Sequence, residues 1–312
     1  LSGVLERLFP FNRGIFEDKV ANLWFALSVA TRGKLREWVS RNMLIRGALL
    51  ATLAALTPVC VAMLTFQPQP TTSLVSAEPL TNASPRILGG RSVQLTSNQK
   101  KVPPLPSKTR KTFNTTASRR LEHWLVALTL SALAFFLCSF QVHEKAILFA
   151  TTPALFLAPW DHDLALWMQL AGVWSLWPLL CKDNLTTAAI VLSSAFTVVF
   201  TAIYKADDYK ANNKNDGDNK DANAGSKHRM NNAGLTRESI LIAYAWRWLR
   251  AKLITMSYTA MFVLLALQIW VPPPETLPDF YPVLFALGGA INFAFAYLCY
   301  TIWLLESTVR PD

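Results

Sequence analysis

Long stretches without charged residues recur along the chain and are separated by polar segments. Six of them approach or reach the roughly 20 mostly apolar residues that a helix needs to cross a bilayer. They are Gly47–Phe66, Leu125–Val142, Leu164–Cys181, Leu185–Tyr204, Leu253–Pro272 and Phe280–Leu305. Ala146–Pro159 is a shorter seventh stretch. Because one soluble core of this size cannot hold so many apolar runs, the pattern predicts an all-α fold, a polytopic transmembrane helical bundle.

The first 46 residues do not fit a simple spanning helix. Val20–Ala30 is apolar but has only about half the length needed to span a membrane. Five charged residues and several large apolar ones then alternate between Arg32 and Arg41. This mixture is typical of an amphipathic helix that lies along a membrane surface, and a short, buried spanning helix is the alternative. We predict that residues 1–46 form a loop, which carries the first sequence motif described below, followed by an interfacial helix. A first span is predicted at 47–66.

Two polar segments divide the remaining spans. Residues 67–120 and 205–237 are rich in polar and basic residues and poor in large apolar ones, so both are predicted to be disordered linkers. Asp216, Gly217 and Asp218 suggest part of a calcium loop, but the required spacing and closing glutamate are absent. Residues 121–204 are then a group of transmembrane helices, and 238–312 are two further transmembrane helices with a C-terminal tail.

The distribution of charge along the chain predicts how the spans are oriented in the membrane. The formal net charge is +10, and residues 67–120 hold nine Lys or Arg against one acid, Glu78. No nucleic-acid-binding module accompanies these charges, whereas Lys/Arg-rich loops between spans are typically cytosolic. We therefore predict that both linkers are cytosolic and that Pro272–Pro282, which carries only acidic charges, is luminal. The loop within 1–46 and His143 are then both luminal, and Ala146–Pro159 has to cross the membrane for the count of crossings to agree.

Cysteine and histidine give little sign of metal or disulfide chemistry. Cys60, Cys138, Cys181 and Cys299 fall in or beside apolar runs without a metal-ligand spacing, so they are interpreted as buried free thiols. The histidines outside the motif described next are scattered. We predict no metal site and no cofactor.

Two charged groups lie against apolar segments, where charge is costly and usually functional. The first comprises Arg7, Arg13, Glu17, Asp18 and Lys19, and the second is His143-Glu144-Lys145. Arginine and lysine suit an anionic phosphate ligand, and the carboxylates suit sugar hydroxyls or the orientation of the cations. The alternative for both groups is simple anchoring of helix ends at the lipid headgroups.

A third polar group, Asp161-His162-Asp163, separates two apolar runs. It has the residue types of a metal or acid–base site. In the predicted topology it lies on the cytosolic side, so we interpret it as a solvated turn.

The sequence around the charged groups resembles a known enzyme family. Arg7-Leu8-Phe9-Pro10-Phe11-Asn12-Arg13-Gly14 with Phe16–Trp24, and later Phe140–Lys145, match in order two motifs of the endoplasmic-reticulum glucosyltransferases that use dolichyl-phosphate glucose. Leu23 replaces a phenylalanine of the family pattern. The resemblance implies a GT-C type glycosyltransferase of the endoplasmic-reticulum membrane, whose partners are the donor, a dolichol-linked oligosaccharide acceptor and membrane lipids, with no nucleic acid.

The same resemblance implies the reaction. Glucose would pass with inversion to an α-1,3 linkage on the lipid-linked high-mannose glycan, and His143 or Lys145 would neutralise the departing phosphate while Glu144 orients one of them. The enzyme that adds the first glucose fits best, and Ala146 after the His-Glu-Lys triplet is shared with the second-glucose enzyme. A non-catalytic transporter or assembly subunit is the alternative from another class.

The catalytic base is expected outside this sequence. The family's catalytic aspartate belongs to a luminal loop nearer the N-terminus, so the resemblance places the base upstream of Leu1. It thereby implies that the sequence is a C-terminal part that lacks the base, and no aspartate of this chain is assigned to that role.

Overall fold

A computed structural model describes residues 19–65, 107–139, 142–221 and 237–309 of the chain. Within these ranges every regular element is helical, which confirms the all-α prediction. The helices are α1 (Leu23–Ala30), α2 (Leu35–Trp38), α3 (Arg41–Thr65), α4 (Ser107–Cys138), a 3-10 helix (Glu144–Ile147), α5 (Leu148–Phe156), α6 (His162–Ser175), α7 (Trp177–Lys182), α8 (Thr186–Asp221), α9 (Arg237–Trp270) and α10 (Phe280–Val309).

Five of the described helices contain a segment long and apolar enough to cross a membrane. These segments lie in α3, α4, α8, α9 and α10. Half of the most apolar window of α4 and 44% of that of α10 are buried inside the protein, compared with 6% for α8 and 11% for α9. Helices α4 and α10 therefore form the centre of the bundle together with the short helices α5 and α6, whereas α8 and α9 expose most of their apolar surface.

The predicted linkers are shorter than their composition suggested. Helix α4 begins at Ser107 and α8 continues to Asp221, so the prediction of disorder is wrong for 107–120 and 205–221. Neither segment contains proline, and adding residues to an existing helix is easier than nucleating a new one. Residues 216–218 are part of helix α8 and so do not have the loop conformation of a calcium-binding site. The rest of both predicted linkers lies outside the described residues.

Two of the predicted single crossings are divided into short helices. Ala146–Pro159 forms the second half of the 3-10 helix, the nine-residue α5 and a turn, while Leu164–Cys181 is shared between the 14-residue α6 and the six-residue α7. Pro153 lies inside α5 and Pro178 at the start of α7, and proline cannot donate the backbone hydrogen bond that continues a helix. These two segments therefore do not form unbroken crossings. Between His143 and Lys182 the chain folds as compact short helices.

Close backbone approach holds these short helices together. A Cβ atom on Gly172 of α6 would lie 2.8 Å from the Thr151 side chain of α5, which only a glycine avoids. The Gln169 side-chain amide also donates to the Thr151 carbonyl oxygen at 2.7 Å. Small residues and side-chain amides of this kind are the usual means of packing helices in membranes, where burial of apolar surface gives little association energy.

The N-terminal segment also differs from its prediction. In place of one amphipathic helix, the chain forms the eight-residue α1 and the four-residue α2, joined by a turn in which Arg32 and Gly33 have φ of 51° and 78°. Helix α3 begins at Arg41, six residues before the predicted span. Trp24 and Phe25 of α1 are buried against the bundle. This segment is therefore packed onto the protein through α1.

The cysteines are free thiols with different surroundings. Cys299 is buried, as predicted, whereas Cys138 and Cys181 are half-buried and Cys60 is exposed on α3. The prediction of a buried thiol is therefore wrong for Cys60, because its helix is mostly unburied.

Candidate functional site

Polar side chains collect at two opposite ends of the bundle. At one end, which we call the His143 end, α4 finishes at Cys138 and α10 begins at Phe280. The Tyr281 hydroxyl there donates to the Val271 carbonyl oxygen at 2.7 Å, just after α9. Arg250 of α9 lies 21 residues before Val271, a distance of roughly 30 Å along a helix. Its partner is Asp161, and we call this opposite end the Asp161 end.

His143 lies at the point where the chain turns from α4 into the short helices. It is exposed, has extended backbone angles (φ −83°, ψ 144°) and caps the 3-10 helix, accepting from the Lys145 backbone N–H on Nδ1 at 3.4 Å. A neutral imidazole that accepts on Nδ1 carries its proton on Nε2. The second ring nitrogen is therefore a donor that is not used by the cap.

Glu144 and Lys145 differ in exposure. Glu144 is half-buried, whereas Lys145 is exposed beside His143. The sequence predicted that Glu144 orients His143 or Lys145. His143 is contacted by the backbone N–H of Lys145, and the orienting role of Glu144 stays a prediction.

A cavity of about 290 Å³ opens beside His143. Its lining is apolar except for Ser139 and His143. Phe135 of α4 and Phe149 of α5 are 53% and 77% exposed, so the cavity is open toward the side of the bundle. The remaining lining residues are Ala132, Phe136, Val142 and Ala146. The cavity thus joins an apolar, laterally open groove to an imidazole donor.

The first charged group is only partly within the described residues. Arg7, Arg13, Glu17 and Asp18 lie outside them, and Lys19 is the first residue described. The Lys19 ammonium forms an ion pair with Asp279, which lies just before α10. Lys19 is therefore at the His143 end, and its charge is shared with a carboxylate that the sequence analysis did not assign to the site.

The catalytic base of the reaction is assigned to none of the described residues. The resemblance places it upstream of Leu1, and Leu1 itself lies outside the described residues. The position of the base therefore stays a prediction, and no described residue is assigned to that role.

Trp24 links the two motifs and was not predicted to do so. Its indole N–H donates to the Cys138 carbonyl oxygen at 2.7 Å, at the C-terminal end of α4. Carbonyl groups in the last turn of a helix have no partner within the helix, so an outside donor stabilises them. Asn22 fixes the start of α1 by accepting from the Phe25 N–H at 2.8 Å. The first motif thereby holds the end of the helix that leads to His143.

Asp161 does not belong to a solvated turn, contrary to the prediction. Its side chain is 16% exposed, lies 2.6 Å from the guanidinium of Arg250, and caps α6 by accepting from the Leu164 N–H at 3.0 Å. Asp163, in contrast, is 76% exposed and pairs with His162 at 3.1 Å. The prediction failed for Asp161 because its partner lies 89 positions away on α9.

Further polar pairs occupy the Asp161 end. The Trp303 indole N–H donates to Glu122 at 2.8 Å, and the His123 Nδ1 lies 3.0 Å from the Ser307 hydroxyl oxygen. Since Ser307 donates its only hydroxyl hydrogen to the Leu304 carbonyl, His123 is the donor of this pair. These contacts join α4 to α10. Within the described ranges, no group of three His, Cys, Asp or Glu residues is arranged to hold a metal ion.

Comparison with known proteins gives the family. A model of the ALG6, ALG8 glycosyltransferase family matches residues 1–300. The chain is 26% identical over 302 residues to the mouse protein named dolichyl pyrophosphate Man9GlcNAc2 alpha-1,3-glucosyltransferase, covering 97% of this chain and 46% of the mouse protein. It is 27% identical over 310 residues to the Saccharomyces cerevisiae protein of that name, covering 97% of this chain and 43% of the yeast protein.

A Drosophila melanogaster protein with the corresponding "probable" name is 27% identical over 296 residues, covering 95% of this chain and 43% of the fly protein. The chain therefore spans a little under half the length of the curated relatives it matches. The family model covers nearly all of the chain, and it agrees with the motif residues quoted above and with the all-helical, membrane-spanning fold. The chain belongs to the ALG6, ALG8 glycosyltransferase family.

Proposed function

We propose that this chain contributes the donor-phosphate site of an endoplasmic-reticulum glucosyltransferase. The enzyme transfers glucose from dolichyl-phosphate glucose to the dolichol-linked high-mannose oligosaccharide on the luminal side, with inversion to an α-1,3 linkage. Family membership supports glycosyl transfer, and the names of the relatives support a Man9GlcNAc2 acceptor and this linkage. Five helices long and apolar enough to cross a membrane fit an enzyme with lipid-linked substrates.

The observation that carries the proposal is the cavity beside His143. A dolichyl phosphate combines an apolar chain with an anionic headgroup, and the cavity combines an apolar, laterally open groove with two polar lining residues, Ser139 and His143. The chain would enter between Phe135 and Phe149, from the lipid side. The phosphate would then lie near His143 and the exposed Lys145.

The chemical role of these residues is to stabilise negative charge. When the acceptor hydroxyl displaces the lipid phosphate from the glucose anomeric carbon, negative charge grows on the leaving oxygen. The His143 Nε2–H and the Lys145 ammonium supply a hydrogen bond and a positive charge for that oxygen, and fixed donors of this kind stabilise the transition state without reorganisation. Arg7, Arg13 and Lys19 are further candidates for the phosphate, and Glu17 and Asp18 for sugar hydroxyls. The base that takes the acceptor proton is assigned to none of the residues of this chain.

Filling the groove tests the donor site. Ala132→Phe adds a ring where the cavity lies, so the purified chain is expected to bind labelled dolichyl-phosphate glucose at least tenfold more weakly. Ala54→Phe, on the exposed face of α3, is the matched control and should bind normally. Unchanged donor binding by a folded Ala132→Phe variant would contradict the proposed site.

A second experiment separates an enzyme from a transporter or assembly subunit. A preparation that contains the protein, labelled donor and Man9GlcNAc2 acceptor should yield oligosaccharide with covalently bound, α-1,3-linked glucose. Replacing the acceptor with its monoglucosylated form distinguishes the first-glucose from the second-glucose step. Label that crosses the membrane without joining the oligosaccharide would contradict the enzyme.

A further inference from the structure

In helix α9, residues 244–261 have one face toward the bundle and one face away from it. Arg250, Ile254, Ser257 and Met261 recur at helical spacing and face the bundle: Ile254 and Met261 are buried, and Arg250 pairs with Asp161. The Ser257 hydroxyl accepts from the Trp167 indole at 2.9 Å and donates to Asn292 at the same distance. This inward face is therefore occupied by contacts to α6 and α10.

The outward face carries aromatic and basic side chains. Tyr244, Trp248 and Lys252 follow one another at four-residue spacing, and Arg247, three residues after Tyr244, lies at the edge of this face. Tyr244 is 71% and Trp248 58% exposed, and both Arg247 and Lys252 are exposed. The Lys252 ammonium lies 5.8 Å from the centre of the Trp248 ring. We call these four residues the outer stripe of α9.

Length places the outer stripe at the level of lipid headgroups. The charge-free part of α9, residues 253–270, is roughly 27 Å long and is enough to fill most of a hydrocarbon core of about 30 Å. The preceding nine residues, 244–252, then extend through the headgroup layer, which is where tryptophan and tyrosine are enriched. Basic side chains at this depth meet lipid phosphates rather than acyl chains.

The stripe is also unbalanced in charge. Residues 244–252 include three basic residues and no acidic one, and the charge of Arg250 is matched by Asp161 on the inward face. Arg247, at the edge of the outward face, and Lys252, on that face, are both exposed, and no acidic residue within 244–252 accompanies them. A zwitterionic headgroup leaves such a pair of cations uncompensated, whereas an anionic headgroup complements it.

We propose that the outer stripe of α9 binds the headgroup of an anionic phospholipid. Arg247 offers a planar donor fork to the phosphate, Lys252 supplies a second positive charge, and the rings of Tyr244 and Trp248 lie at the boundary with the acyl chains. The site is at the Asp161 end, away from the His143 cavity. It therefore does not depend on the glycosyl-transfer proposal.

The test uses the purified 312-residue chain in detergent, with native mass spectrometry to count bound phosphatidylserine and phosphatidylcholine. Each basic residue near a membrane surface contributes roughly fivefold to binding of anionic lipid, so R247Q/K252Q should lower the phosphatidylserine affinity roughly 25-fold. Phosphatidylcholine binding should not change. K182Q, which removes an exposed lysine from α7, is the matched control and should bind as the unsubstituted chain does.

A charge-preserving variant guards against a folding artefact. R247K/K252R keeps both charges and should retain phosphatidylserine binding within a fewfold, with the same thermal unfolding as R247Q/K252Q. Equal affinity for the two lipids would overturn the proposal, as would an equal loss in K182Q or no loss in R247Q/K252Q.

Discussion

At the Asp161 end of the bundle, polar side chains are paired with one another across helices, whereas His143 and Lys145 at the opposite end are exposed beside an open cavity. Asp161 contacts Arg250, Glu122 contacts Trp303, and each contact joins two helices. At the His143 end, Lys19 and Trp24 are engaged in holding the chain, and His143 uses one ring nitrogen for its cap.

This contrast separates two uses of charge in a membrane protein. A polar group that is closed off by a partner contributes to helix packing, and its loss should appear in stability. A polar group with an uncommitted donor at the edge of a cavity can meet a ligand, and its loss should appear in turnover. The following predictions test that division, from the largest expected effect to the smallest.

Substitution of His143 or Lys145 should affect catalysis rather than folding. In a preparation that transfers glucose, His143→Ala and Lys145→Ala are each expected to lower kcat about a hundredfold, because one transition-state donor is lost. KM for the donor should change much less, since interactions made mainly in the transition state appear in kcat. Steady-state kinetics measure both constants. Normal turnover in both variants would show that these residues only anchor the chain.

Substitution of Asp161 should affect folding. Asp161→Ala removes a helix cap and leaves Arg250 half-buried without its carboxylate, so the free energy of unfolding should fall by about 3 kcal/mol. Denaturant titration in detergent measures this change. Asp163→Ala removes the same charge from an exposed position and serves as the control, with an expected change below about 0.5 kcal/mol. Equal stability of the two variants would show that Asp161 contributes no more to folding than an exposed turn residue does.

Trp24 tests the connection between the two motifs. Trp24→Phe removes the hydrogen bond to the Cys138 carbonyl and should lower the free energy of unfolding by about 1 kcal/mol. Trp38→Phe, at a position that is 68% exposed, is expected to have almost no effect. A thermal unfolding series of both variants gives the comparison, and a similar shift for both would argue against a specific role for the bond.

The orientation of the two ends is tested without changing the protein. If the predicted linkers are cytosolic, trypsin added to intact microsomes should cleave after Lys100 or Lys101 and after Lys227 or Arg229. The His143 end would then face the lumen. Protection of either site until detergent is added would reverse or reject this orientation.

Sequence reasoning succeeded where the signal is local. The charge-free runs predicted an all-helical membrane protein, and the motif residues predicted the family. It failed where neighbours decide the structure. Asp161 was taken for a solvated residue because its partner Arg250 lies on a distant helix.

Helix boundaries were missed for another reason. The residues before Leu125 and after Tyr204 have the composition of linkers, but α4 and α8 continue through part of both segments. Hydropathy reports where a chain is apolar, whereas helix formation also depends on whether a neighbouring turn already exists. The cavity beside His143 could likewise not be predicted from the sequence, because it forms between α4 and α5 rather than within one motif.

The contacts of Lys19 and Trp24 have a consequence for the order of assembly. Trp24 needs the end of α4, and Lys19 needs Asp279, which follows α9. Because the chain is synthesised from its N-terminus, this early segment cannot complete its contacts until nearly all of the later helices have been made and inserted. Such long sequence separations slow folding. Lys19 and Trp24 should therefore become protected only late in biosynthesis, and until then a defective copy is more easily recognised and degraded.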